Sequence, residues 1–412
     1  MGSFSYTINK PEKGTLFRPG SDTEITGKGR YPCPVPIRHG GNMSYRVFAV
    51  NPGSTSTKIA LFEDGKCLYS KTVGHDASEL AKYEEMPAQL PYRRDMILRL
   101  LKEEGIALDG VDVFVGRGGG LLPMEGGTYG VSDLLLEHAR TIANGFVHPA
   151  TLGPQLAYEF AREYGAKAMV VNPPDTDEFQ DLSRLTGIKG VYRECHLHAL
   201  NLKETAIRHC RNVEKKRYEE CSLVVCHLGG GISVSAHDHG KMIDGTDIAG
   251  GEGPMTPTRC GAVPVSGIIR YLESGGDLQT LKSLCSRKGG FIDHLGTSAA
   301  TEVTNRAKNG DRYAEMLWNT MIYQIAKSIG AMAVALHGRV DGILLGGGMV
   351  YSEDLVRQIA DACSWIAPVY AYPGEFEMEA MAAGALRVLT GEEELKEYVG
   401  GKAFQGFDFE KE

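Results

Sequence analysis

The chain has 412 residues, 42% of them hydrophobic and 23% charged, with a formal net charge of -8. This is the balance of an ordinary globular protein with length for two or three domains. It argues against a dedicated nucleic-acid binder. The absence of any run of about 18 apolar residues argues against a membrane span.

The start of the chain lacks the charged-then-apolar pattern of a secretory signal. Nine cysteines are scattered with no C-x-x-C pair, so no zinc knuckle or thioredoxin-like motif is signalled, and a reducing cytoplasm is the expected compartment. Residues 1–44 are rich in Gly, Pro and Lys/Arg with little apolar periodicity, and are expected to be a loosely structured extension.

From Tyr45 strands and helices alternate, as in an α/β protein. Arg46–Val50 reads as a strand, followed by the turn Asn51-Pro-Gly-Ser-Thr-Ser-Thr-Lys58 and a second strand, Ile59–Phe62. Gly53 lets backbone approach a ligand closely. The turn's successive N–H groups, the hydroxyls of Ser54 and Ser56, and Lys58 suit a phosphate. A polar hairpin alone needs only Gly or Asn.

Met86–Glu104 is expected to be helical, Val111–Val115 a strand, Gly153–Tyr164 a helix and Ala168–Val171 a strand. Arg117 stands at a strand end among glycines, where its planar fork could capture a carboxylate or phosphoryl group. A surface Arg in a flexible loop is the competing reading. Asn172, Asp175, Asp177 and Glu178 follow the strand ending at Val171, the place where α/β sheets face ligands. Their acids could order Mg²⁺ or cap a following helix. His196 and His198 form an H-x-H within Arg193–Arg208, a stretch that includes a helix. Two ligands alone make a weak metal signal, and one functional His beside a structural neighbour is the favoured reading.

The first meander then recurs. Leu223–His227, the turn Leu228-Gly-Gly-Gly231, Ile232–Ala236, Asp238-His-Gly-Lys241 and Met242–Asp244 repeat its order. His237 and His239 at the second turn are expected to be solvated. Gly229, Gly230 and Gly231, and later Gly346, Gly347 and Gly348 after Gly342–Leu345, are expected nucleotide turns. Arg259 lies in a loop fixed by prolines and glycines, Gly253–Gly261, close after the second meander. Asp311–His337 reads as a long apolar helix between domains, Glu353–Ser364 as a helix, and Glu377–Leu389 as a helix whose small residues pack closely. Glu377 is a metal-organising acid or a first-turn Glu favoured by the helix dipole. Two facing meanders with phosphate turns suggest a nucleotide in a cleft between related domains. P-loop, Rossmann, G-x-S-x-G and H-E-x-x-H motifs are absent.

The turn at 51–58 resembles the first phosphate motif of the acetokinase family, Leu228-Gly-Gly-Gly-Ile-Ser-Val234 its second, and Leu345-Gly-Gly-Gly-Met349 its adenosine motif. Gly116-Arg-Gly-Gly-Gly-Leu-Leu122, Glu125–Tyr129, His198-Ala-Leu-Asn201, Gly251-Glu-Gly-Pro254 and Tyr372–Met378 are similar to the family's butyrate kinase branch. The resemblance runs from about Tyr45 to about Glu394. It implies two duplicated actin-like (ribonuclease H-like) ββαβαβα domains with an interdomain nucleotide cleft. Residues 45–173 plus 378–399 would form domain I, and 174–377 domain II.

The resemblance also implies ATP and Mg²⁺ as cofactors, a short-chain carboxylate such as butanoate as acceptor, and a homo-oligomer. Position by position it implies nucleotide binding by Asn51, Gly53, Ser54, Ser56, Lys58 and the two glycine turns. It implies substrate arginines at Arg117 and Arg259, a transition-state histidine at His198 and a Mg²⁺-organising Glu377. The sequence departs at Asn172, where the family pattern has Asp. A neutral amide is neither proton acceptor nor strong Mg²⁺ ligand, so Asp175 as metal ligand or Asp177 as catalytic acid is the expected substitute. Other short-chain acid kinases and a nucleotide-binding protein without turnover are the alternatives. A sugar kinase, which needs a base, is counted against by Asn172.

Overall fold

The structure, a computed structural model, describes residues 44–248 and 250–411. The extension expected over 1–44 lies outside the described residues except for Ser44. Two sheets form. In the first, β1 (Arg46–Pro52), β2 (Ser56–Glu63), β3 (Lys66–Gly74), β4 (Val113–Gly116), β5 (Thr128–Gly130) and β6 (Lys167–Val171) lie in the order β3-β2-β1-β4-β6-β5. In the second, β7 (Ser222–Leu228), β8 (Ile232–Asp238), β9 (Lys241–Gly245), β10 (Gly342–Gly347) and β11 (Val369–Pro373) lie in the order β11-β10-β7-β8-β9.

Each sheet is an antiparallel meander whose first strand continues into two parallel strands. β5 is an extra antiparallel edge on the first. The repeat extends to detail. Both second hairpins shift register one step before their turn, at Leu61/Phe62 and at Ala236/His237. Both turns place two residues at positive φ, Asp64-Gly65 and His239-Gly240, the mirror-image turn whose twist matches paired strands.

Central strands β1 and β7 are covered on both faces, which explains their nearly continuous apolar runs. On one face of the first sheet, Phe48, Val50 and Phe114 pack with Ile97 and Leu101 of the Leu90–Glu103 helix and Leu156 and Phe160 of the Leu152–Tyr164 helix. On the other, Val47, Ala49, Val113 and Val115 meet Met378, Met381 and Ala385 of the Glu377–Leu389 helix. This helix also packs against Ala199–His209, which lies on β7 and β10. These two helices therefore form the layer between the sheets.

The long helix, Arg312–Ala335, does not occupy that layer. It packs with β8 and the Glu353–Cys363 helix on the far side of the second sheet. Its buried stripe, Leu317, Met321, Ile325, Ile329 and Met332, covers one face only, and Tyr313, Met316, Tyr323 and Val334 are exposed. Apolar count alone overstated its burial. Among the described residues no helix is long and apolar enough to cross a membrane.

The small residues of Glu377–Leu389 are needed for its approach to the first sheet. A Cβ on Gly384 would overlap the Val171 side chain and press on Thr128. Helix propensity favours Ala over Gly by about 1 kcal/mol, whereas overpacking a filled core costs about 1–3 kcal/mol. Gly384→Val is therefore expected to lower the urea midpoint of unfolding. Unchanged or raised stability would mean that this contact is loose.

Candidate functional site

The C-terminal ends of β1, β4, β7 and β10 point into one region, the crevice that such sheets offer to ligands. The β1–β2 turn is closed by Gly53 N–H donating to Ser56 O at 2.7 Å. Beneath it lies Arg93, fully buried, whose Nη1 donates to Gly53 O at 2.8 Å and Thr57 Oγ1 at 3.1 Å, while Nε and Nη2 share Gln89 Oε1. Ser54 and Lys58 are exposed in this turn, and Gly53 and Ser56 half-buried. Asn51 Nδ2 donates to Glu377 Oε2 at 2.6 Å, joining the turn to the first residue of the inter-sheet helix. Burial pushes the Glu377 carboxyl up, but Arg117 and the Asn51 hydrogen bond outweigh it and hold the group below its ordinary value.

Arg117 follows β4 directly. Its N–H donates to Val50 O at 2.9 Å, and its Nη2 stands 3.7 Å from Glu377 Oε1. Its Nη1 is buried with no hydrogen-bond partner among the described residues. Arg259 comes from the opposite lobe. Its Nε donates to Ser286 O at 3.1 Å, and its Nη1 is likewise buried without a partner. The guanidinium lies so close over Gly231 that a Cβ there would collide with it. Thr256 and Thr258 each donate to Gly230 O at 2.8 Å, fastening the same turn. The third turn is tied by reciprocal bonds between Gly347 and Gly374, 3.0 and 3.1 Å, to the segment that carries Glu375 and Glu377.

Between the arginines lies His198, which precedes the Ala199–His209 helix. Its Nδ1 is 2.8 Å from Ser233 Oγ, and its ring stacks on His227 with centroids 4.0 Å apart. Burial, then His227 and the charges of Arg259 and Arg117, push the His198 imidazole well below its ordinary value. Burial lowers His227 to about 4, with Arg117 and Arg259 adding to it against Glu377. Both rings are neutral near pH 7.

Arg117, Arg259, His198, Asn51 and Glu377 are thus brought together beside the glycine turns at 229–231 and 346–348. Asp177 is engaged elsewhere: both its oxygens accept from Arg184, at 2.6 and 2.7 Å, and Oδ1 also takes the Phe179 N–H. Asn172 adopts φ 37°, a region Asn tolerates, and exchanges two bonds with Gly127, through Oδ1 at 2.7 Å and its own N–H at 2.9 Å. Asp175 is half-buried; Oδ1 accepts from Leu121 N and Asn144 Nδ2, and the buried Oδ2 has no partner among the described residues. Among the described residues no helix start uses Asp175 or Asp177 as a cap, and the short turn at Asp181–Ser183 has no side-chain cap. His196 is half-exposed and its Nδ1 lies 3.2 Å from Asp247 Oδ2, whereas His198 is held by Ser233. His237, expected to be solvated, is fully buried between Tyr218 and Ser235, because β8 runs on past the register shift. His239 stays exposed in its turn.

A model of the acetokinase family matches residues 201–365. Over 357 residues, 86% of this chain and 100% of the relative, the chain is 42% identical to a Clostridium botulinum protein named "Probable butyrate kinase". It is 42% identical over 358 residues, with the same coverage, to "Butyrate kinase 2" of Clostridium acetobutylicum. The chain belongs to the acetokinase family. The crystal structure of Porphyromonas gingivalis acetate kinase matches 84% of this chain and 100% of its own with TM-score 0.69 at 19% identity, which shows the shared two-domain actin-like fold. Membership of the acetokinase family makes the protein an ATP-dependent phosphotransferase with a carboxyl acceptor.

Arg93, His227, Ser233 and Arg193 escaped the sequence reading. Arg93 had a signal, since it stands one turn before Ile97 on the buried stripe of its helix. Ser233 alternates with Ile232 and Val234 on β8 and pairs with His227 in register, which the repeat could have suggested. Arg193 spends its guanidinium on Asp244, Glu252, Gly245 O and Ser183 O, fixing the entry to the loop that carries Arg259.

Burial raises the Asp175 carboxyl from 3.8 to about 7. The folded state then binds more protons than the unfolded one between these values. The stabilisation is complete below pH ~4 and is lost as pH rises through ~7, by up to about 4 kcal/mol. Asp175→Asn should flatten this dependence, read as denaturant midpoints at pH 5 and pH 8. An identical slope in the variant would place the proton uptake elsewhere.

Proposed function

We propose that this protein is a butyrate kinase, moving the γ-phosphoryl group of ATP reversibly to a carboxylate oxygen of butanoate and giving butanoyl phosphate and ADP. The observation that carries the reading is the pair of buried guanidinium nitrogens of Arg117 and Arg259, unpartnered among the described residues, around a neutral His198. The full-length similarity to proteins named butyrate kinase supports it.

A carboxylic acid with pKa near ~4–5 is ionised at pH 7, so the nucleophile needs no general base, and neutral Asn172 is no obstacle. The barrier is repulsion between two anions, and phosphoryl transfer depends on positioning and charge stabilisation. Arg117 from one lobe holds the acceptor carboxylate and Arg259 from the other the phosphoryl oxygens. The Ser233 hydroxyl accepts from the His198 backbone N–H at 3.3 Å and lies 2.8 Å from Nδ1, where we assign it as the donor. This leaves the imidazole proton on Nε2 as a donor to the transferring group. Asn51, Gly53, Ser54, Ser56 and Lys58, with Gly229–Gly231 and Gly346–Gly348, cradle the nucleotide through turn N–H groups, hydroxyls and the Lys58 charge.

Mg²⁺ supplies charge neutralisation on the phosphates. Among the described residues no group of three His, Cys, Asp or Glu could hold a metal. One ionised carboxylate, Glu377, fits an ion that keeps several waters and phosphate ligands. Asp175 is the weaker candidate because it is largely protonated below pH 7. Residues 45–173 with 378–399 are proposed as one lobe and 174–377 as the other, so that closure brings Arg117 and Arg259 together. Among the described residues, Cys195, Cys210, Cys221, Cys226, Cys260, Cys285 and Cys363 form no disulfide, which supports a cytoplasmic protein. The Val265–Glu273 helix exposes Val265, Ile269 and Leu272, which supports self-association through this face.

A hydroxamate assay with MgATP and straight and branched acids of two to six carbons tests the reading. Butanoate should give the highest kcat/KM. A flat result with every acid, despite nucleotide binding, would replace the kinase with a nucleotide-binding protein. Arg117→Ala and Arg259→Ala should each lose roughly 10²–10³-fold in turnover. Near-normal turnover in either would remove that residue from the mechanism.

A further inference from the structure

Arg259 has a neighbour that the phosphoryl-transfer scheme does not use. Cys260 follows it directly, and the Cys260 Sγ lies 3.9 Å from the Sγ of Cys285. Both thiols are half-buried. The other close pair, Cys210 and Cys221, is sealed in the core, and Cys195, Cys226 and Cys363 are buried as well. The two backbone segments are already in contact: Cys260 N–H donates to Leu284 O at 3.0 Å and Gly289 N–H to Thr258 O at 3.1 Å. The bond that orients Arg259, from its Nε to Ser286 O, lies between them. Each cysteine is thus one residue away from one end of that hydrogen bond.

We propose that Cys260 and Cys285 are a dithiol site that a peroxide converts to a disulfide, and that this bond moves Arg259 out of its anion-binding position. The proposal rests on the reading of Arg259 as an anion-binding group. Joining the sulfurs requires them to close from 3.9 Å to about 2.0 Å. This movement of roughly 2 Å falls on segments one residue from Arg259 and from its acceptor. Displacing a catalytic group by about 1 Å can cost on the order of 10²-fold in rate.

The chemistry balances. The Cys285 thiol gives up its proton, its thiolate attacks one peroxide oxygen, the O–O bond breaks, and Cys285 becomes a sulfenic acid as the departing hydroxide takes up that proton and leaves as the first water. The Cys260 sulfur then attacks the sulfenic sulfur, the S–S bond forms, and the displaced hydroxide takes the Cys260 proton as the second water. Two electrons pass from the sulfurs to the peroxide. Burial, and next Cys285, raise the Cys260 thiol to about 12, which suits the resolving rather than the attacking role.

The test uses the full chain carrying Cys67→Ser, which removes an exposed sulfur outside the pair. After hydrogen peroxide, peptide mass mapping should show a 260–285 bridge with loss of two hydrogens. Acyl phosphate formation should fall roughly 10²-fold and return with dithiothreitol. Adding Cys285→Ser should keep the reduced-state activity and abolish the peroxide effect. Overturning results are sulfenic acid without a bridge, a bridge with unchanged turnover, or equal sensitivity in the Cys285→Ser protein. Should the reduced chain make no acyl phosphate from any acid, the kinase reading fails separately. Calorimetric binding of inorganic phosphate, oxidised against reduced, then decides the switch: weaker binding after oxidation supports it and equal binding overturns it.

Discussion

Positive charge held in a dry place with no carboxylate in tight contact is the constraint on which this site depends. The Arg259 Nε is steadied by the peptide carbonyl of Ser286, which fixes direction without cancelling charge. Arg117 has Glu377 nearby, but at 3.7 Å, because Glu377 is drawn to Asn51 at 2.6 Å. A guanidinium in a tight bidentate pair would be occupied. Burial first, and then this field, keeps His198 and His227 neutral, so the centre presents two cations, the Glu377 carboxylate and uncharged imidazoles to an arriving anion. Burying such charges is costly, and a bound polyanion is what offsets it.

The duplicated sheets supply the geometry. In each, the first meander strand ends in a glycine-rich turn beside a parallel strand: Val50 lies opposite Gly116, and His227 opposite Gly346. Arg117 therefore emerges next to the first turn by register. The second lobe has no arginine at the matching strand end. Its cation arrives on the loop after β9, whose entry Arg193 fastens through two carboxylates and two carbonyls. The two halves share a backbone plan and differ in how they deliver charge.

Much of this was legible in the sequence because hairpins and glycine turns are local. Positive-φ turns, strand alternation and the small-residue helix at Glu377–Leu389 all declare themselves within a dozen residues. What escaped depends on distant partners. Asp177 reads as a strand-end acid until Arg184 folds onto it. His237 reads as turn chemistry until Tyr218 covers it. The Arg312–Ala335 helix has the composition of a buried element, and only the second sheet's other coverings show which of its faces is left outside. Arg93 carries a charge on an apolar stripe, and its purpose appears only when Gly53 and Thr57 lie above it.

The Glu377–Leu389 helix completes a sheet whose last strand, β6, ends at Val171. During synthesis, Val47, Ala49, Val113 and Val115 emerge from the ribosome roughly 260 to 330 residues before the helix that shields them. The nascent first lobe spends that interval with a bare apolar face while the whole second sheet is being made. Chaperone capture, or provisional shelter from the rest of the chain, is the natural requirement of such an order of assembly. A chain truncated before Glu377 keeps every strand of both sheets yet has nothing to close the first.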